Sequence, residues 1–112
     1  MATISNLYID AGSDYSSIIT VAAANGGPLN LGLYTVKSQM RRSFKSSVAY
    51  NFEAVVANAS AGQIRIILPA DVSEQMEPGR WLYDVEITHS QTGLKKRVVE
   101  GVVVITPQIT QI

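Results

Sequence analysis

No cysteine occurs in the 112-residue chain, which excludes disulfides, thiolate nucleophiles, cysteine-bound zinc and iron–sulfur ligation together. Histidine is nearly absent too: His89 stands alone, and one imidazole cannot assemble a multi-histidine metal site. Charged residues make up only 16% of the chain, and nine basic residues cancel nine acidic ones. Such a molecule has no global field to draw in nucleic acid or an anionic membrane, and little net charge to hold its own copies apart. Long apolar runs are missing as well. No segment approaches the roughly 18 apolar residues of a membrane span, and MATISNLYIDAGSD lacks the basic and apolar blocks of a secretory signal. The expectation is a chain made and folded in the cytoplasm.

What the chain has instead is β-branched residues in alternation. A chain this long is expected to form one domain that buries roughly two-thirds of its extended surface around a single core. Its clearest stretch is Glu77 to Pro107, where a Pro-Gly turn launches a strand, a Thr-Gly loop reverses it, and a second β-branched run returns. Over Arg80 to His89, a period of two places Trp81, Tyr83, Val85 and Ile87 on one face and Arg80, Leu82, Asp84, Glu86 and Thr88 on the other. The returning strand spans about Lys95 to Ile105.

The same pattern predicts strands over residues 4–9, 17–24, 34–41, 48–56 and 63–68. The run S-I-I-T-V-A-A-A at 17–24 carries apolar side chains on both faces and is predicted to be central. Asn25 to Gly32 is a breaker cluster, and Pro69 to Met76 is predicted to close a single helical turn across the open end of a sandwich. Trp81, Tyr83, Val85, Ile87, Phe52, Tyr50, Ile64, Ile66 and Ile19 are the expected core. The fold class is therefore all-β: an antiparallel β-sandwich of about seven strands, with residues 1–105 as the domain and 106–112 as a C-terminal tail.

No residue pattern marks a catalytic centre. His89 near Asp84 or Glu86 lacks a framed nucleophile, and Asp10, Asp14 and Asn6 match no calcium-loop spacing, so no catalytic residue, metal or cofactor is expected. Two basic clusters stand out: Lys37, Arg41, Arg42 and Lys45, and the consecutive Lys95, Lys96 and Arg97. The aromatics that nucleic acid would stack on fall on the core face, so these charges are expected to meet Glu53, Asp84, Glu86 and Glu100 across the sheet or across a subunit contact. Lys37, Arg41, Arg42 and Lys45 are thus candidate interface residues. In the tail, Ile109 and Ile112 are candidate apolar anchors for a neighbouring copy.

Two likenesses extend these readings. The segment Glu77-Pro-Gly-Arg-Trp-Leu-Tyr resembles the D-x-G-x-Y-x-C segment of immunoglobulin-like domains, with Trp81 at the tyrosine position and Tyr83 at the cysteine position. That departure removes the inter-sheet disulfide. More broadly, NLGLYTVKSQMRRSF, GQIRIILP, MEPGRWLYDVEIT and VVEGVVVITPQIT look like small immunoglobulin-like β-sandwich structural proteins of tailed bacteriophages. The resemblance is to those of T4-like phages of marine cyanobacteria and to N-terminal sandwiches of baseplate and receptor-binding subunits.

The resemblance implies a non-enzymatic virion structural protein, a head, neck, tail or baseplate component assembled in the host cytoplasm. Its implied partners are copies of itself or other virion proteins, with neither membrane nor nucleic acid. The competing reading is a small carbohydrate- or receptor-binding sandwich in which Tyr8, Tyr15 and Tyr34, near turns, stack on sugar rings.

Overall fold

Alternation of buried and exposed side chains runs through nearly every strand of the computed structural model, which describes residues 3–23 and 25–109. The elements are β1 (Thr3–Ile4), β2 (Leu7–Asp10), β3 (Tyr15–Thr20), β4 (Tyr34–Arg41), β5 (Ala49–Asn58), β6 (Gln63–Leu68), α1 (Ala70–Ser73), β7 (Gly79–His89) and β8 (Lys95–Thr106). They form one all-β sheet in the order β1-β8-β7-β4-β5-β6-β3, with β2 following β1 along the same edge of β8.

The sheet curls because β5 is shared. Its first residues pair with β4, Phe52 opposite Ser38, while Glu53 to Asn58 pair with β6. The curl brings the inward row of β6 (Ile64, Ile66 and Leu68) into one cluster with the inward rows of β4, β7, β8 and β2. Trp81, Tyr83, Val85 and Ile87 of β7 are all buried, as their alternation requires. Tyr50 and Ile19, expected in the core, are only half-buried and pack at its margin.

Three expectations are corrected. The sheet is mixed, because β1 and β2 run parallel to β8. The first strand, expected to run unbroken over 4–9, steps at Ser5 and Asn6. Opposite that step lies Gly101, where a Cβ would sit 2.2 Å from the Ser5 carbonyl oxygen, so only glycine lets the N-terminal segment cross there. Tyr83 Oη donates to the same Ser5 oxygen at 2.6 Å, and Asn6 Oδ1 accepts from the Val102 amide, so both sides of the step are held.

The strand expected at 17–24 is shifted to Tyr15–Thr20 and is not central: β3 pairs only with β6 and forms a sheet edge. Val21 to Ala23 enter a turn, with Ala23 N–H bonded to Gly27 O and Leu29 N–H to Val21 O. Gly62 sits beneath this turn at φ +68°, 2.6 Å from Val21 O if it bore a Cβ, which excludes any other residue on both counts. At the other end of β8, Thr106 still belongs to the strand and its hydroxyl donates to Asp10 Oδ1 at 2.6 Å.

The helical turn forms where expected and closes one end of the curl. Ser73 is fully buried, accepts from Gly12 N–H at 3.0 Å and bonds Ser13 O. Asp14 Oδ1 accepts from the Ala70 amide at 2.7 Å, so the loop between β2 and β3 is stapled to α1 from both sides. Ile112 lies outside the described residues.

Trp81 is 3% exposed and meets Tyr50 edge-on at 5.5 Å between ring centres. Replacing Trp81 by Ala removes a large buried ring that its neighbours can only partly replace. The variant is expected to lose roughly 3–5 kcal/mol of unfolding free energy in urea titrations followed by far-UV dichroism. A loss near zero would show that the ring does not fill core volume.

Candidate interaction face

The outward side chains of β4, β7 and β8 come into rows because the strands pair along most of their length, with a one-residue register shift between Val85 and Glu86 that sets Arg97 opposite Glu86. One row reads Asn51, Gln39, Asp84, Glu100 and Ile4 across five strands. The next, toward the β7–β8 turn, is Lys37, Glu86 and Arg97; on the other side lie Arg41, Leu82 and Val102, then Arg80, Val104 and Tyr8. Asp84, Glu86, Arg97 and Glu100 gather at one end of this face, and at the other Leu82, Val102, Val104 and Tyr8 lie beside Arg41 and Arg80. Phe44, 84% exposed in the loop after β4, and Ile4, 71% exposed, help line a shallow groove of about 900 Å³ over Leu82, Asp84 and Val102.

Arg97 organises the charged end. Its Nε donates to Asp84 Oδ2 and its Nη1 to Glu100 Oε2, both at 3.1 Å. Partial burial pushes the Asp84 carboxyl above its ordinary value of 3.8; Arg97 opposes that shift, and the Glu86 charge adds to it. Arg97 is itself pushed up, first by its hydrogen bond to Glu100 and then by the Asp84 charge. Arg97 therefore meets two of the carboxylates predicted as partners of basic residues, while Lys37 stands in register with a third, Glu86.

The candidate interface residues separate into different roles. Lys37 lies on the outer face, and Lys45 is exposed in the turn between β4 and β5. Arg41 donates to Ser46 O at 2.6 Å and ties down that turn. Arg42 grips the corner that leads into β7: its guanidinium donates to Arg80 O and Pro78 O, each at 2.9 Å, pairs with Glu77 at 3.3 Å, and covers the Trp81 ring at 4.9 Å. Only a planar fork can reach several acceptors while stacking on an indole. Ile109, the candidate anchor, is 97% exposed.

The three tyrosines do not share a surface. Tyr8 points outward beside Val104 and is 72% exposed, whereas Tyr34 is half-buried on the inward side and meets His89 edge-on at 5.0 Å. Through β8, Tyr8 aligns with Arg80, and Tyr34 aligns with His89. Those positions are nine residues apart on β7, roughly 30 Å at strand rise. Tyr15 sits at the start of β3, half-buried against the core. His89 Nδ1 accepts from the Gln91 and Thr92 amides and so shapes the hairpin turn.

Asn6, Asp10 and Asp14 are each committed to the structural bonds described above. Among the described residues, no group of three or more Asp, Glu or His side chains is placed to hold a metal ion. The signal that could have singled out this outer face was the phase of β7 and β8, which turns Leu82, Val102 and Val104 away from the core.

No protein-family profile and no curated protein matches the chain. Among solved structures, it is similar in fold to the N-terminal domain of phage TP901-1 ORF48, with a TM-score of 0.56 at 11% identity, over 90% of this chain and 84% of that one. Weaker likenesses cover parts of larger proteins. Listeria monocytogenes InlP gives a TM-score of 0.47 at 12% identity, over 94% of this chain and 28% of that one. A family 123 glycoside hydrolase from Clostridium perfringens gives 0.44 at 11% identity, over 97% and 24%. These two carry no inference about this chain.

Two outcomes follow from the charges. Arg42→Lys is expected to lower folding stability by roughly 1–2 kcal/mol, because a lysine cannot satisfy both carbonyls and Glu77 at once, and to leave sedimentation unchanged. Unchanged urea stability with lost assembly would return Arg42 to an interface role. For Asp84 the raised folded-state pKa means that ionisation opposes folding. That penalty is absent below about 3.8 and complete above the raised value. Relative to the wild type, Asp84→Asn should therefore gain stability as pH rises from 3.5 to 7. A variant less stable than the wild type at pH 7 but not at pH 3.5 would show that the Arg97 pair outweighs burial.

Proposed function

We propose that this chain is a non-enzymatic building block of a tailed-phage particle, an immunoglobulin-like β-sandwich that acts by binding other proteins through its outer sheet face. The observation that carries this reading is the fold likeness to the N-terminal domain of phage TP901-1 ORF48, which extends over most of both chains. A fold alone does not specify a role, so the chain's own surface supplies the second support. Its outer face joins solvent-facing Leu82, Val102, Val104, Ile4 and Tyr8 to an Arg97-centred charge cluster, an arrangement suited to a protein partner with an apolar patch and a polar rim.

The sandwich reading draws on the way β5 passes from β4 to β6, as a strand does when it leaves one sheet for another. The immunoglobulin-like reading draws on Trp81, whose Nε1 donates to Glu77 O at 3.0 Å. A tyrosine corner has a similar bond, an aromatic side chain reaching back to the backbone a few residues upstream at the same corner. The sequence likeness to sandwich proteins of T4-like cyanophages points in the same direction. In this reading the partners are copies of the chain or other virion proteins, and assembly takes place in the host cytoplasm with no cofactor, membrane or nucleic acid. The carbohydrate-binding reading is not favoured, because Tyr8 and Tyr34 lie at opposite ends and on opposite sides of the sheet.

The test is to purify particles of the phage that encodes the chain and probe them with an antiserum and by mass spectrometry. The chain should be present in stoichiometric amounts, and a Leu82→Asp, Val102→Asp variant that keeps its dichroism spectrum should fail to incorporate. Particles without the chain would overturn the reading, and full incorporation of the variant would remove the outer face from it.

A further inference from the structure

The two edges of the sheet are built differently. The β1–β2 edge is short, breaks at Ser5 and Asn6, and carries Asp10, features that discourage another strand from adding to it. The β3 edge has no such protection. Its six residues, Tyr-Ser-Ser-Ile-Ile-Thr, run unbroken with no charge and no proline, and among the described residues no strand pairs with their free side. In an antiparallel ladder the residues that exchange hydrogen bonds alternate. Counting from the Val21 N–H bond to Gly62 O, the β3 backbone turns toward β6 at Tyr15, Ser17 and Ile19. The amides and carbonyls of Ser16, Ile18 and Thr20 face outward.

We infer that β3 is a self-pairing edge, joining antiparallel to β3 of a second copy about a twofold axis at Ile18. This names one partner and one contact within the protein-contact reading above and rests on it. The register is self-complementary. With Ile18 opposite its own copy, Ser16 faces Thr20 and Thr20 faces Ser16, so the outward backbone groups of both strands find partners. Ile18, 44% exposed in the single chain, packs against its twin, and Val55, 52% exposed on the same sheet face, continues the apolar row behind Arg65. No like charges meet directly across the seam, and a chain with zero net charge has no global repulsion to overcome. The Arg65 guanidinium donates to Ser16 Oγ at 3.3 Å on its own chain, and a second copy matches Tyr15–Thr20 residue for residue.

The full chain is measured by sedimentation and mass photometry. The wild type is expected at twice 12.1 kDa, and Ile18→Lys and Ile18→Glu each alone at 12.1 kDa, because each places like charges on the axis. Mixed in equal amounts, the two variants should return to the doubled mass, as only a pairing of residue 18 with residue 18 requires. Val55→Lys, on the same face but away from the axis, should stay at the doubled mass, and all variants should keep the wild-type dichroism spectrum. A monomeric wild type at the highest soluble concentration, an Ile18→Lys chain that remains doubled, or a mixture that fails to pair would each overturn the inference. None of these outcomes bears on whether the chain is found in particles, so the two readings fail separately.

Discussion

The ten-residue strand β5 is the constraint on which the architecture depends. It hydrogen-bonds to β4 through its first half and to β6 through its second, so the chain cannot satisfy both ladders in a flat sheet. The curl that results faces Ile64, Ile66 and Leu68 toward the inward rows of β7 and β8, and a single core follows. Without it, each inward row would be the wet apolar face of an open sheet. Everything that makes the outer face usable, its register rows and its groove, is the reverse side of that closure.

Polar groups brought inside by the curl are matched one by one. Ser38, 3% exposed between apolar neighbours, donates to Asp84 O at 2.6 Å, and Ser73 bridges α1 to the β2–β3 loop. Burial pushes the Tyr83 hydroxyl above its ordinary value, and its bond to Ser5 O pins the N-terminal segment. Among the described residues no buried side-chain nitrogen or oxygen lacks a partner. An unpaired group there would carry its full desolvation cost, which is why these few contacts determine where loops and edges sit.

Arg42 and Arg97 show how identical chemistry divides by position. Arg42 follows the end of β4, reaches the carbonyls of the 77–81 corner and holds an indole, so its charge is spent within the fold. Arg97 lies on the open face of β8, where it holds two carboxylates and remains half exposed. In sequence both sit in basic clusters, and nothing local distinguishes them.

Period-two alternation in the sequence determined the strand composition, the inward row from Trp81 to Ile87, the breaker turn at Asn25 to Gly32 and the helical turn after Pro69. Each of these is a local property, set by side chains that alternate across a pleat or by residues with restricted backbones. Tertiary structure alone decided that β3 is an edge, that the N-terminal strands run parallel to β8, and that Tyr8, Tyr15 and Tyr34 lie apart. Alternation is the same in an edge strand and a central one, and in parallel and antiparallel pairing. The choice among them rests on long-range hydrogen bonds between residues such as Leu7 and Val103, which no local pattern encodes.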